Sequence, residues 1–409
     1  IQVIFIPFIL LNLFLFKTNF VQMKNYLSNF LQCLTIFCYL IQFNAQGLPL
    51  LELISPGQDS TLKWIEWEGR PDKPKIVFIS GDEEYRSEES LVQLAKILNV
   101  NHGFNCTILF AQDPNRPGII DPNYKNNIPG LNKLAYADLM VMLIRFRALP
   151  DNQMRFIDDY LKSGKPVLGM RTSTHAFNFD VRSSESSYKH YGNYCNDKTD
   201  WQGGFGRLIL GEKWIAHHGA HGRQSTLGIV AKKSQNHPIF NGIIPGTIWG
   251  ATDVYAVRLP MADNIIPLLL GQVTQRKGSF DKEDLFFGMR PSDSEPAGIV
   301  KRINERGDTI STDLNAPMMP IAWIKSYRIP GGKTGKVFTT TMGASTDLVA
   351  EGTRRMLVNA AYWCLGIKVP EESNVDLIGN YKPSQYGFFD NAYWRDRDLR
   401  ILGIYESIE

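Results

Sequence analysis

From residue 75 onward, short unbroken apolar runs alternate with stretches whose apolar positions recur every three to four residues. Lys75-Ile-Val-Phe-Ile-Ser80 reads as a buried strand. Residues 88–100 then place Leu91, Leu94, Ala95 and Leu98 on one helical face. Residues 105–110 and 137–144 predict the next two strands, 151–162 a helix opened by Pro150 and Asp151, and 166–170 a fourth strand. Strands that are apolar throughout, joined by amphipathic helices, predict a parallel sheet covered on both faces. The middle of the chain, 183–305, is less regular, with Gly-rich turns, strands expected at 226–231, 253–258 and 265–270, and a polar stretch at 274–284. It reads as an elaboration of the sheet and not as a second domain. The pattern closes with strands at 319–325 and 336–341 and a helix at 348–365 that Gly366 stops. Residues 367–409 are rich in aromatics and charges without a period and read as a surface tail.

The first 45 residues carry Lys17 and Lys24 and no acidic residue. The chain opens on Ile, and its first Met is Met23. From there Lys24, an apolar run over 26–43 and Asn44-Ala45-Gln46 have the layout of a secretory signal, with residues 1–22 as upstream reading frame and 46–74 as a lead-in to the sheet. This predicts a periplasmic or extracellular protein that meets a membrane only through this segment. A pair of membrane helices is the competing reading, weakened by the short first segment and by Ser28, Asn29 and Gln32 in the second. Three cysteines lie beyond the segment, an odd count without regular spacing, which is no disulfide scaffold. Cys106 and Cys364 fall at core positions, whereas Cys195 sits in a polar loop. A net charge of +3 without a basic stripe argues against nucleic acid as a partner. The sequence leaves a homo-oligomer open.

In open parallel sheets, ligands sit at the carboxyl ends of the strands. The polar groups expected there are Gly81-Asp-Glu-Glu-Tyr-Arg86, Arg145-Phe-Arg147, Arg171-Thr-Ser-Thr-His175 and Met342-Gly-Ala-Ser-Thr-Asp347. The third of these occupies the strand-to-helix turn at which α/β hydrolases and amidotransferases project a nucleophile. It holds no Cys. A helix starting near Thr174 would offer free N–H groups to an anion, and Ser173 with His175 would make a nucleophile and base. A second cluster, Trp214-Ile-Ala-His-His-Gly-Ala-His-Gly222, concentrates three of the seven histidines. His217, His218 and His221 could bind a divalent metal or move protons, although His-Glu-x-x-His is absent. The catalytic candidates are therefore His175, His217, His218 and His221. The substrate-binding candidates are Glu84, Arg145, Arg147, Arg171, Ser173, Asp253 and Asp347. A divalent metal on the three clustered histidines is the one cofactor to consider. The same Arg and carboxylate side chains also read, more plainly, as structural ion pairs.

The order of several landmarks resembles the ThuA-like (trehalose utilisation) family of the class I glutamine amidotransferase-like superfamily, over roughly 75–366. They are the segment 169–175, His237-Pro-Ile-Phe-Asn-Gly-Ile243, Asp253-Val-Tyr255, Pro320-Ile-Ala-Trp323 and Gly335-Lys-Val-Phe-Thr-Thr-Thr-Met-Gly343. The tail motif Asp376-Leu-Ile-Gly-Asn-Tyr-Lys-Pro383 looks like that of secreted members from polysaccharide-degrading bacteria. The resemblance implies an α/β, flavodoxin-like, doubly wound and mostly parallel sheet, and a role in carbohydrate catabolism on a saccharide or keto-sugar. It implies no amidotransferase mechanism, because Arg171 or Thr172 stands where the nucleophilic Cys would be. Many relatives also carry a His after the last strand, in Leu-Gly-His. Here the chain reads Met342-Gly343-Ala344. Three functions remain open: sugar isomerisation or epimerisation by His acid–base chemistry, metal-dependent hydrolysis, and saccharide binding without catalysis.

Overall fold

The computed structural model describes residues 62–179, 185–196, 199–303 and 306–399, all within the unit Asp59–Glu409. The segment read as a secretory signal lies outside them. Among the described residues no helix is long and apolar enough to cross a membrane.

The chain builds a large mixed α/β fold around one ten-stranded sheet. In chain order the strands are β1 (Trp64–Trp67), β2 (Lys75–Gly81), β3 (Asn105–Phe110), β4 (Leu139–Ile144), β5 (Val167–Met170), β6 (Ser225–Val230), β7 (Trp249–Gly250), β8 (Ile265–Thr274), β9 (Val300–Ile303), β10 (Thr309–Thr312), β11 (Met319–Tyr327) and β12 (Gly335–Thr340). The helices are α1 (Ser87–Val100), α2 (Asp151–Lys162), α3 (Glu351–Leu365) and the short α4 (Asn391–Arg395). The sheet order is β1-β3-β2-β4-β5-β12-β11-β8-β6-β7, and β9 and β10 form a separate hairpin. Strands β3, β2, β4, β5 and β12 run parallel, while β1 and the half from β11 to β7 pair antiparallel.

The inner strands β2, β4 and β5 are buried along nearly their whole length, which is why they read as unbroken apolar runs. Along β2, Ile76 and Phe78 join Leu91, Leu94 and Leu98 of α1 in one apolar layer. Val77 and Ile79 join Met154, Ile157 and Leu161 of α2 in the other. This two-residue alternation between layers follows from the strand's own geometry. α3 covers the first face beside α1, and Gly366 ends it in the left-handed conformation at φ 69°.

Several expectations need correction. The sheet is mixed and not mostly parallel, because the middle of the chain contributes antiparallel β6, β7 and β8. Residues 253–258 form no strand. Their backbone bonds the 216–219 loop instead, with only an isolated bridge between His217 and Tyr255. The turn after β5 is a five-residue 3-10 helix, Arg171–His175, and does not open a long helix, so it supplies no helix N-terminus for an anion. The final helix starts at Glu351, after a 3-10 turn at Ser345–Val349. β1, β7 and the β9–β10 hairpin were not anticipated; each is four residues or shorter. Part of the tail is core, since Trp394 and Leu399 are fully buried.

At Gly352 of α3, an added Cβ would stand 2.3 Å from Thr247 Oγ1 and 2.5 Å from the Thr247 carbonyl carbon. Alanine is the better helix former by about 1 kcal/mol. Backbone overlap opposes that gain with an overpacking cost of about 1–3 kcal/mol. Gly352→Ala therefore lowers the urea midpoint, and a raised midpoint would show that the α3 contact with Thr247 is looser than described.

Candidate functional site

The carboxyl ends of the parallel strands gather strained backbone and buried charge. Arg86, Phe146 and Arg171 all have positive φ, at 55°, 47° and 41°. A non-glycine residue held there costs about 1–3 kcal/mol and persists only where its surroundings over-determine it. At Phe146 those surroundings are visible. Its N–H donates to the His175 carbonyl at 3.0 Å, and the Arg147 N–H donates to the Ala176 carbonyl at 2.7 Å. At the end of β2, the Asp82 carboxylate accepts from the N–H groups of Glu84 (2.7 Å) and Tyr85 and from the Thr172 hydroxyl, tying that strand end to the β5 turn. Burial, then the neighbouring Glu83, pushes the Asp82 carboxyl upward. Burial alone would raise Glu83 as well. Arg147, Lys125 and Arg145 outweigh it and hold Glu83 below the usual carboxylate range.

Arg171 occupies the elbow itself. Its guanidinium is enclosed between the rings of Tyr255, 3.9 Å away, and Tyr85, 4.5 Å away. Nη1 donates to the carbonyls of Asp253 and Thr341, each at 2.7 Å, and Nη2 reaches Asp253 Oδ1 at 3.0 Å. The other side of the Asp253 carboxylate faces the histidine loop. His217 Nδ1 lies 2.8 Å from Oδ2, and His221 Nδ1 lies 3.0 Å from Oδ1. Burial by itself would raise the Asp253 carboxyl. The hydrogen bonds from His217 and His221, with the charge of Arg171, overcome it and hold Asp253 well below the ordinary range. A carboxylate kept ionised only accepts hydrogen bonds, so both imidazoles carry their proton on Nδ1 and leave Nε2 as the reactive nitrogen.

The two rings stand 4.7 Å apart, with side chains 38% and 36% exposed, so both are reachable from solvent. His221 Nε2 is 3.4 Å from Glu84 Oε1. Burial first, and then the charge of Asp82, raises the Glu84 carboxyl and favours its protonated, proton-donating form. Tyr386, from the tail, packs 5.3 Å from the His221 ring and 5.4 Å from Tyr85. The strap that carries it is fixed on both sides. Gly387 N–H donates to the Glu84 carbonyl at 2.8 Å, and Arg86 Nη2 donates to the Gly387 carbonyl at 2.7 Å.

The structure divides the residues expected from sequence. It brings together His217, His221, Asp253, Arg171 and Glu84, with Arg145 at the rim and 21% exposed. His218 departs from its neighbours: its Nε2 bonds the Leu314 carbonyl at 2.8 Å, so the cluster that could hold a metal is His217, His221 and Asp253. His175 is fully enclosed, with the rings of Phe146 at 4.9 Å, Trp214 at 5.4 Å and Tyr255 at 6.3 Å. Burial, then Arg145, Arg171 and His217, depress it well below the usual imidazole range, which suits packing and not the proton transfer expected of it. Ser173 Oγ donates to the Met142 carbonyl at 2.8 Å and is no nucleophile paired with His175. Arg147 is buried on Glu83 and on the carbonyls of Pro122, Tyr124 and Arg145. Asp347 is buried on Thr252 and on the N–H groups of Gly343 and Ala344. These three are engaged by neighbouring groups that hold the rim in shape. The aromatic residues Tyr85, Tyr255, Tyr386 and Trp214 were missed, because nothing in their sequence spacing separates a ring that walls a site from one in a core.

The donors of His217, His221 and Asp253 lie within 4.8 Å of one another, close enough for one divalent ion. Arg171 opposes that use, because its charge already neutralises the single carboxylate of the set. The arrangement is better suited to moving protons: two imidazoles held through Nδ1 by one carboxylate, with the Glu84 carboxyl, raised by burial, beside Nε2 of one of them.

No family model matches the chain, and no curated protein does. Among solved structures, the chain is similar to two bacterial proteins each named a putative ThuA-like protein. The one from Parabacteroides merdae is 14% identical, covering 78% of this chain and 99% of that one, with a TM-score of 0.41. The one from Bacteroides uniformis is 15% identical, covering 72% and 93%, with a TM-score of 0.38. An exo-β-1,4-mannosidase from an Opitutaceae bacterium is 10% identical, covering 72% of this chain and 36% of its own, with a TM-score of 0.26. Likenesses this distant carry no argument about chemistry, which rests on the geometry above.

Removing one partner of a buried ion pair costs about 3–5 kcal/mol, because the other charge is stranded. Asp253→Asn is expected to fall in that range by chemical denaturation, and Arg171→Met near its lower end, since the two histidines still bond Asp253. The double variant loses clearly less than the sum; strict additivity would mean the pair is not energetically coupled. For His175, the folded-state proton affinity lies below that of the unfolded chain, so the native state binds fewer protons. Stability is complete above about pH 6.5, the ordinary imidazole value, and falls as the pH drops through that value. His175→Phe flattens this acid-side decline between about pH 6.5 and 5; an unchanged slope would reassign it to other groups.

Proposed function

We propose that this is an exported, ThuA-like saccharide-processing protein that moves protons next to a sugar carbonyl with His217 and His221. The observation that carries this reading is one buried carboxylate, that of Asp253, held by Arg171 and shared by the Nδ1 atoms of both imidazoles. The strand order supports a flavodoxin-like frame. The parallel strands lie in the order β3-β2-β4-β5-β12, so the chain leaves β2 to one side for β3 and crosses to the other for β4. Ligand crevices form at such a switch point. Glu84 follows β2 there and Arg145 follows β4.

In this reading a keto-sugar lies over the two rings. His217 Nε2 takes the proton from the carbon beside the carbonyl, while Glu84, through His221, supplies one to the carbonyl oxygen. The enediol collapses by the reverse transfers on the neighbouring carbon, or takes a proton from His221 on the opposite face of the same carbon while His217 keeps the one it removed. Isomerisation or epimerisation results, and no other reactant is consumed. Arg145 at the rim orients hydroxyls. Export, read from residues 23–46, belongs to the proposal and not to the described structure.

Exchange of the sugar C–H proton with deuterated solvent, followed by NMR on a panel of keto-sugars, tests this directly. His217→Ala and His221→Ala each slow exchange by a factor of about 10²–10⁴, whereas His218→Ala, which changes a residue turned away from the cleft, stays near the parent rate. Full exchange in both of the first two variants would end the proposal. Saccharide binding without exchange in the parent protein would make it a binding protein. One equivalent of tightly held metal in the untagged protein, with activity lost to chelator, would favour hydrolysis.

A further inference from the structure

Beyond the proton-moving pair, a strip of aromatic rings leads away from the cleft along the rim. Trp214 stands 5.8 Å from His217 and 5.4 Å from the buried His175, which in turn meets Phe146 at 4.9 Å. Phe146 stacks on Tyr194 at 6.1 Å and 22°. Arg145 lies over two rings, Phe146 at 4.8 Å and Phe388 at 4.9 Å. The outer members open to solvent, Tyr194 at 52% and Phe388 at 60%.

Single exposed aromatics need no explanation. Here they come from four separate segments: the end of β4, the 192–195 loop, the 211–214 loop and the tail. They converge on a residue, Phe146, whose backbone is held at φ 47° by bonds to the β5 turn. Trp214 and Phe146 pack on the same buried His175 ring, which ties the outer aromatics to the residues beside His217.

Resting on the saccharide reading above, we propose that Phe388, Phe146, Tyr194 and Trp214 form an extended subsite for further sugar rings, so that the ligand is an oligosaccharide and not a free monosaccharide. The electron-rich faces of aromatic rings attract the weakly positive C–H groups of a pyranose. Arg145 and Lys213, which lies 5.6 Å from the Tyr194 ring, supply donors for hydroxyls beside that surface. A surface mainly aromatic with a few placed polar groups is what small-ligand sites use. The reacting ring would sit over His217 and His221, with the remainder of the chain along the strip.

Titration calorimetry of the full protein with gluco-, manno-, xylo- and galacto-oligosaccharides of one to four rings provides the test. Affinity is expected to rise tenfold or more from one ring to two or three for the preferred series. Phe388→Ala and Tyr194→Ala each bring the affinities for short and long chains together, and Phe388→Trp keeps them apart. Both side chains are largely solvent-facing, so the alanine variants fold. If one ring binds as tightly as four, or if the chain-length gain survives in both alanine variants, the subsite is refuted while the saccharide reading stands. If the parent protein binds no saccharide of any length, both fall together.

Discussion

The charge pair of Arg171 and Asp253 is the constraint on which the site depends. A guanidinium without access to water is costly unless it is paired and its remaining donors find acceptors. Here two carbonyls, the Asp253 carboxylate and the Tyr85 hydroxyl accept from Nη1 and Nη2 while the Tyr85 and Tyr255 rings face the guanidinium, and Nε alone finds no acceptor among the described residues. Burial, the first influence on either phenol, pushes Tyr85 and Tyr255 above the usual range and keeps both rings neutral. The pair also fixes what the histidines can do. Because Asp253 stays ionised, it selects the Nδ1–H tautomer of both rings and aims both Nε2 atoms at the cleft. The turn after β5 thus projects the residue that keeps a carboxylate charged.

Both halves of the sheet are needed to bring these groups together. The parallel half supplies Glu84, Arg145 and Arg171 at strand ends. The antiparallel half, through the segments beside β6 and β7, supplies the 214–221 loop and Asp253. The isolated bridge between His217 and Tyr255 registers the two loops against each other. The tail then closes one side. Arg86 lies over the rings of Phe389 at 4.4 Å and Trp394 at 4.6 Å while bonding Gly387, which sets Tyr386 against His221. Three distant parts of the chain thus share responsibility for two imidazoles.

Much of the parallel half was legible because its signals are local. A run such as 105–110 is a strand in any context that buries both faces, and 151–162 carries its own start signal and period; the structure reproduces both spans. The end of the last helix was legible for the same reason, since Gly366 alone dictates it. Residues 253–258 misled because alternating apolar positions also describe a segment whose backbone bonds a loop. For the site, composition pointed to the right segments and could not rank the side chains in them. His217, His218 and His221 look equivalent in sequence. Which of them face Asp253 depends on a backbone turn and on the Leu314 carbonyl, 96 residues away from His218. Ser173, Arg147 and Asp347 carry the residue types of a site, yet their partners turn out to be backbone groups and fixed charges of the rim.

The same distinction explains why charge density was a poor guide and accessible charge a better one. The rim holds Asp82, Glu83, Glu84, Arg86, Arg145, Arg147, Arg171, Asp253 and Asp347, but burial commits most of them to one another. A buried charge whose partners are already satisfied has nothing left to offer a ligand, whatever its sequence position suggests. Among the described residues of the rim, what stays accessible is small: His217 Nε2, the facing pair of His221 Nε2 and the Glu84 carboxyl, and the half-buried Arg145 guanidinium. A polar ligand held by so few groups gains little of its affinity from charge. The remainder has to come from surface contact, and the aromatic strip beside the cleft is where the described structure offers it.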